Sequence, residues 1–235
     1  MFNNWNIFDG YKNIKLTEKI KTQLNQYYDF LVAENAKYNL TRIVDQNEVF
    51  EKHFLDSLLF TEEFTLNNQV IADIGTGPGF PGVVLKIFFP YLKVTLIESN
   101  SKKITFLKQL ITLLGLTDVE IANERAEIFS IAQQEKFDLV ISRAVAHLDI
   151  ILEIGVQMLK INGTFILLKG PKAQQEINEM GNKDQKMKLQ LIKTQTLEDT
   201  GFGIRVNLFY QKISTTPNLY PRKYAQIKKT NAKTK

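Results

Sequence analysis

The 235-residue chain has no cysteine. That excludes disulfides, thiolate zinc sites and a cysteine nucleophile. Histidine is nearly as scarce. With only His53 and His147 present, no metal site is expected. No apolar run reaches the roughly 20 residues of a membrane-spanning helix. The N-terminal M-F-N-N-W-N-I-F-D-G lacks the basic start and long apolar run of a secretion signal. These absences lead us to expect a cytoplasmic protein with no membrane partner. Acidic residues are missing from one region: from Gln211 onward there are seven basic residues (Lys212, Arg222, Lys223, Lys228, Lys229, Lys233, Lys235) and no acid. The net charge of +5 therefore sits on this tail, which reads either as a solubilising end or as a phosphate-binding arm. A chain of this length buries roughly 70% of its unfolded surface and needs no covalent staples.

What is present is organised around Val70 to Gly82, V-I-A-D-I-G-T-G-P-G-F-P-G. An apolar run short enough for a buried strand breaks into glycines at 75, 77, 79 and 82, and an apolar helix follows Pro81. Strand, glycine turn and helix together make a nucleotide-type cofactor loop. A dinucleotide fingerprint is G-x-G-x-x-G and places a pyrophosphate on the helix N-terminus. Here the spacing is G-x-G-x-G, and Asp73 stands two residues before the first glycine. A carboxylate there repels a pyrophosphate and suits a ligand with an ammonium and no phosphate, such as S-adenosylmethionine (SAM). The plain alternative is a glycine-rich turn with no ligand.

Periodicity predicts an amphipathic helix over 16–40, with Thr17 as its cap, and a second over about 47–60. On the second, His53, Asp56 and Ser57 share one face. They read either as a polar cluster toward a pocket or, preferably, as a packed histidine held by its own helix. From Val70 short apolar runs alternate with helical stretches, which predicts parallel β-α units. Strands are expected at 70–74, 94–97, 119–122, 137–141 and 164–168. Helices are expected at about 81–89, 102–114, 149–160 and 172–182. The stretches 188–196 and 205–213 read as an antiparallel pair closing a mostly parallel seven-stranded sheet with helices on both faces. The expected division is a helical appendage (1–68), a cofactor-binding domain (69–213) and a basic tail (214–235).

Ligands of such sheets bind beyond the strand carboxyl ends. The candidates there are Asp73, Glu98, Arg125-Ala126-Glu127, Arg143 and Lys169. Glu98, 25 residues after Asp73, can accept the ribose hydroxyls of an adenosine. The 125–127 loop can hold the adenine edge. Arg143 and Lys169 stand where a polyanionic substrate would meet a methyl donor, and they are the substrate-side candidates; no catalytic group is assigned. With no cysteine for pyrimidine-C5 chemistry, and S-R-A-V-A where an Asn/Asp-Pro-Pro-aromatic stretch would serve an exocyclic amine, guanine N7 fits a site without an obvious base.

The motifs Y-N-L-T-R-I (38–43), H-F-L-D-S-L (53–58), D-I-G-T-G-P-G-F-P-G (73–82), R-A-E (125–127), S-R-A-V-A (142–146), L-K-G (168–170) and Y-P-R-K (220–223) occur in this order. Together they resemble the ribosomal RNA small subunit methyltransferase G family, also called glucose-inhibited division protein B, over nearly the whole chain. The resemblance implies a Rossmann-like class I SAM-dependent methyltransferase that modifies N7 of one guanosine in 16S rRNA, as free RNA or in a precursor small subunit, and acts as a monomer. It implies cofactor contacts from Gly75, Phe80, Ala126, Glu127 and Arg143. Asp73, Gly77, Gly79 and Glu98 match the general SAM-fold pattern, and Lys169, Arg222 and Lys223 become candidates for RNA contact. Two departures stand out: Glu98-Ser99 replaces the more usual Asp-Ser, and Y-A-Q-I-K-K-T-N follows Arg222-Lys223 in place of a glycine- and proline-bearing segment. The alternatives are methylation of another acceptor, a non-catalytic SAM-responsive RNA-binding protein, and a nicotinamide-dependent oxidoreductase.

Overall fold

The computed structural model describes residues 1–198 and 200–227. A central sheet holds β1 (Val70–Ile74), β2 (Lys93–Glu98), β3 (Val119–Asn123), β4 (Phe137–Arg143), β5 (Leu159–Lys169), β6 (Leu189–Leu197) and β7 (Arg205–Lys212). Their order is β3-β2-β1-β4-β5-β7-β6. The pairs among β1 to β5 are parallel, and β7 runs antiparallel to both its neighbours, β5 and β6.

The inner strands β1, β2 and β4 are mostly apolar because both faces are covered, whereas the edge strands β3 and β6 carry exposed polar residues. Ile71, Leu139, Ile141, Ile166, Leu168 and Phe209 point into one core, and Ala72, Ile74, Val140, Phe165, Leu167 and Tyr210 into the other. The first core is closed by α1 (Glu18–Tyr38), α3 (Gly82–Phe88) and α4 (Ser101–Leu113), and the second by α6 (Leu148–Gly155), beside α5 (Ala126–Ala132) and α7 (Ala173–Met180). The short α8 (Lys183–Lys186) leads into β6. Aromatic residues of the first 68 positions, including Phe8, Tyr27, Phe50 and Phe54, pack in the same core as the sheet. Among the described residues no helix is long and apolar enough to cross a membrane.

Thr17 caps α1 as expected, its Oγ1 accepting from the Ile20 N–H at 3.2 Å. Three sequence expectations are corrected. The second helix is not uniform: α2 (Gln46–Val49) passes into a π-helix over Phe50–Leu55, and a 3-10 turn follows at Leu59–Glu62. The helix expected to reach residue 160 ends at Gly155, because β5 starts at Leu159 and passes through Asn162 in the left-handed conformation (φ 66°). Lys212 does not belong to an exposed arm. It lies on β7 with its side chain fully buried, where Nζ donates to the Leu159 carbonyl (2.8 Å) and pairs with Glu135 (3.2 Å).

Candidate active site

The strand order reverses between β1 and β4, and ligands of open sheets settle at such a point. Two cavities open there, of about 910 Å³ and about 340 Å³. They share Gly75, Arg143 and Val145. The larger faces Phe80, His53, Asp56 and Lys169. The smaller faces Glu98, Arg125, Ala126, Glu127 and Tyr224.

The glycine loop folds back over β2, where the Gly75 and Thr76 amides both donate to the Ile97 carbonyl (2.9 and 3.2 Å). Gly79 sits at φ 110°, and a Cβ there would lie 2.6 Å from Tyr27 Oη and 2.7 Å from Val83 Cγ2. Only glycine permits this approach. Tyr27 fixes the loop from below, donating to the Pro78 carbonyl at 2.6 Å and stacking on Phe80. Gly77, at φ 60°, has open space in front of it: a Cβ there would meet nothing closer than 3.9 Å.

Asp73 is fully buried at the end of β1. Its Oδ2 accepts from the Gly82 amide (2.8 Å), while Oδ1 is buried without a hydrogen-bond partner, as is Thr76 Oγ1. Burial pushes the carboxyl up to about 6, against the pull of the neighbouring Thr76 hydroxyl, the Gly82 amide and Arg143. Asp73 lines neither cavity itself but lies beneath the loop residues Gly75 to Gly77 that do, with the Thr76 hydroxyl beside its carboxylate. A buried carboxylate oxygen is stabilised by each further donor. The ammonium of SAM is a fitting donor.

Glu98 is buried at the end of β2. Its Oε1 accepts from the Ser99 and Asn100 amides (2.8 and 2.9 Å), and Oε2 from the Gly77 amide (3.2 Å). Oε2 also lies 3.8 Å from the Lys103 ammonium. After β3, Arg125 Nε donates to Glu127 Oε1 at 2.5 Å, and Ala126 opens α5.

Arg143, the last residue of β4, meets the π-helix. There the widened ladder skips one carbonyl: the Asp56 amide donates to Glu51 O (3.1 Å) and the Ser57 amide to His53 O (3.3 Å). The Lys52 carbonyl instead accepts from Arg143 Nη1 at 2.8 Å. The same Nη1 reaches Asp56 Oδ2 (3.0 Å), whose other oxygen accepts from Arg205 Nε (2.7 Å). Arg143 Nη2 lies 3.2 Å from His53 Nδ1, and His53 Nε2 lies 3.0 Å from Thr41 Oγ1. Nδ1 also lies 3.1 Å from the Lys52 carbonyl. The guanidinium only donates and the carbonyl only accepts, so its two neighbours call for opposite tautomers of the ring. Burial, with the Arg143 charge beside it, pushes His53 down to about 3. The imidazole is therefore neutral, stacked on Phe80 at 4.6 Å between ring centroids.

Of the residues expected from the sequence, Gly75, Gly77, Phe80 and Arg143 line the larger cavity and Gly75, Glu98, Ala126, Glu127 and Arg143 the smaller, whereas Asp73 and Gly79 line neither, Asp73 lying beneath the glycine loop. Lys169 also lines the larger cavity, but its Nζ is engaged by Glu176 Oε2 (2.7 Å) and the Ala146 carbonyl (2.8 Å). Arg222 lies away from the larger cavity and grips Glu153 with Nε and Nη2 (2.8 and 2.6 Å). Lys228, Lys229, Lys233 and Lys235 lie outside the described residues. Sequence reasoning missed Tyr27, Arg205 and Tyr224. Tyr27 read as one more core position of α1, and no local pattern marks the other two.

A sheet of this order, with an acid closing β1, a glycine loop and an acid closing β2, defines a class I SAM-dependent methyltransferase. The fold is shared with TYW2 of M. jannaschii in complex with AdoMet (TM-score 0.56, 18% identity, covering 73% of this chain and 80% of that one). It is shared also with a methyltransferase from Pyrococcus furiosus (TM-score 0.57, 16% identity, 82% and 98%). The chain belongs to the rRNA small subunit methyltransferase G family, which it matches over residues 20–202. It is similar to the ribosomal RNA small subunit methyltransferase G of Mycoplasma capricolum, with 66% identity over 97% of this chain and 99% of that protein. The protein of that name from Acholeplasma laidlawii is 42% identical over 92% and 94%. SAM is the cofactor.

Proposed function

We propose that the protein methylates N7 of one guanosine in 16S rRNA. SAM supplies a methyl group on a sulfonium. The S–CH₃ bond breaks as N7–CH₃ forms, and the positive charge passes to the purine. In this reading Asp73 receives the ammonium, the loop from Gly75 to Gly79 gives the backbone surface, and Glu98, Ala126 and Glu127 hold the adenosine. Phe80 and Arg143 face the acceptor in the larger cavity, with Lys169 at its rim. The chain's part in the transfer is then mostly positioning.

One observation supports N7 above other acceptors: among the described residues the histidines and carboxylates lining the larger cavity are already hydrogen-bonded, His147 to Asp149 and Glu179, and Glu176 Oε2 to the Leu148 amide and Lys169. His53 is neutral but both ring nitrogens are engaged, and Asp56 is saturated by two arginines. Guanine N7 has a lone pair and loses no proton, so it asks for no base. The small-subunit rRNA in the relatives' names supports the polymer class. The proposed division is a helical appendage (1–68) whose aromatic residues share the first core of the sheet, the cofactor domain (69–213) and a basic C-terminal tail (214–235) whose described part packs against the body. The protein works as a monomer in the cytoplasm.

The test uses small-subunit particles from cells lacking this protein, purified protein and methyl-labelled SAM, with mass spectrometry of the nucleosides. The expected product is a single N7-methylguanosine in 16S rRNA. Label on another base, or none while SAM still binds, would overturn the assignment.

A further inference from the structure

Over its described residues, as far as Ile227, the segment after β7 stays on the body. Gln157 Nε2 donates to the Tyr220 and Pro217 carbonyls (2.9 and 3.2 Å), and Thr216 Oγ1 donates to the Met187 carbonyl (2.9 Å). Arg222 holds Glu153 of α6 through its backbone amide (2.9 Å) as well as its guanidinium, and Glu153 is only 4% exposed. Such a paired, two-point contact fixes geometry as well as adding energy. Ile227 is buried in the core that α6 also lines. Residues 222 and 227 are therefore two anchors, and Tyr224 lies between them. Its ring sits under the Arg125 guanidinium, 4.3 Å from centroid to carbon. Tyr224 lines the smaller cavity together with Ile97, Glu98, Ala126 and Glu127.

We propose that the C-terminal segment completes the adenosine end of the cofactor site, with Tyr224 as a cofactor-contacting residue held in place by the Arg222–Glu153 pair. The inference rests on the cofactor site assigned above. The chemistry is that of a flat, π-faced base: the cavity offers apolar walls from Ile97, Ala126, Ile150 and Ile154, and an aromatic edge from Tyr224. The acids Glu98 and Glu127 supply the polar contacts. The wall is contributed by the same segment that carries Lys223, so the part of the chain facing a polyanion is also a part of the cofactor site.

Titration calorimetry with S-adenosylhomocysteine, on the full chain, tests this. Tyr224→Ala is expected to weaken binding about 3–10-fold, the worth of a lost aromatic contact. Tyr224→Phe stays within about twofold, because the ring remains. In turnover the alanine variant raises KM for SAM and leaves kcat unchanged, as removal of uniform binding requires. Should Tyr224→Ala not fold, Tyr224→Leu carries the test with the same threshold. Asp73→Asn is measured alongside. If it weakens binding while the Tyr224 variants match wild type, the wall assignment is overturned and the site stands. If Asp73→Asn also binds as wild type, the site itself is wrong and the wall falls with it.

Discussion

Asp56, in the wall of the larger cavity, and Asp73, beneath the glycine loop, are both buried aspartates, and they are built in opposite ways. Asp56 sits between Arg143 and Arg205, with both oxygens engaged. Asp73 has one oxygen on the Gly82 amide and one with no hydrogen-bond partner, and burial pushes it up to about 6. The first is complete without a ligand. It holds the end of β4 against the π-helix and sets the shape of the larger cavity. The second has one oxygen left over, which is where the proposed ammonium contact would fall. On that reading one half of the site is a frame and the other a receptor.

The sharpest way to break this contrast is Asp56→Ala. It leaves two guanidiniums without their carboxylate, and losing one partner of a buried ion pair costs about 3–5 kcal/mol. Urea unfolding should show a loss of that order. A loss under about 1 kcal/mol would mean that Asp56 is not the frame. Asp73→Asn should do the reverse, with stability kept or raised and SAM affinity reduced. A charge-assisted bond is worth about 1.5–3 kcal/mol, so the loss should be roughly 10–100-fold. Equal SAM binding in the two proteins would remove Asp73 from the receptor half.

A smaller effect separates Lys223 from Lys212. Lys223→Ala should lower the salt slope of RNA binding by about one contact. Lys212→Ala should leave that slope unchanged, since its ammonium is buried against Glu135 and the Leu159 carbonyl. Equal slope changes in both would contradict the placement of Lys212 in the sheet. The smallest expected signal is from His53, which should show no titration in NMR spectra between about pH 5 and about pH 8, unlike an unperturbed histidine. A midpoint near the ordinary value would mean that the ring is not enclosed by Arg143, Phe80 and Thr41.

Much of this arrangement is legible in the sequence. The five parallel strands are short apolar runs, and a run such as Val70–Ile74 has no reason to be apolar on both sides unless it is covered twice. The acids and glycines stand at the strand ends, and strand-end position identifies them without tertiary information. What is not legible depends on distant partners. The π-helix forms where Arg143 captures the Lys52 carbonyl, 91 residues away in sequence. Nothing in F-E-K-H-F-L announces it. His53 reads as a histidine held by its own helix, and its Nδ1 does lie 3.1 Å from the Lys52 carbonyl, but Arg143 and Thr41 hold the ring as well, and the sequence does not show them. Lys212 counts as a tail charge until its strand is seen to place it in the interior. Tyr224 lies where the family motifs end, so no pattern pointed to the cavity.

Gly75→Val, an obvious probe from sequence, is a poor one. Gly75 sits at φ 67°, and a Cβ there would lie 2.5 Å from Val145 Cγ2, so the substitution strains the loop itself. Asp73→Asn keeps the shape and changes only the charge.

The most direct measurement is therefore the pH dependence of SAM binding in wild type and Asp73→Asn. In the free protein Asp73 holds its proton more tightly than in the unfolded chain. Its contribution to stability is present below about pH 4 and is lost as the pH rises through about 6. An ammonium binds the ionised form, so the sign for the ligand is opposite. The wild-type affinity should rise as the pH is raised through about 6, approaching tenfold per unit below it, and level off before the ligand's own amine titrates near about 8. The Asp73→Asn protein should show weak binding with no such rise. A wild-type affinity that is flat between about pH 5 and about pH 7.5 would contradict the receptor half of the account.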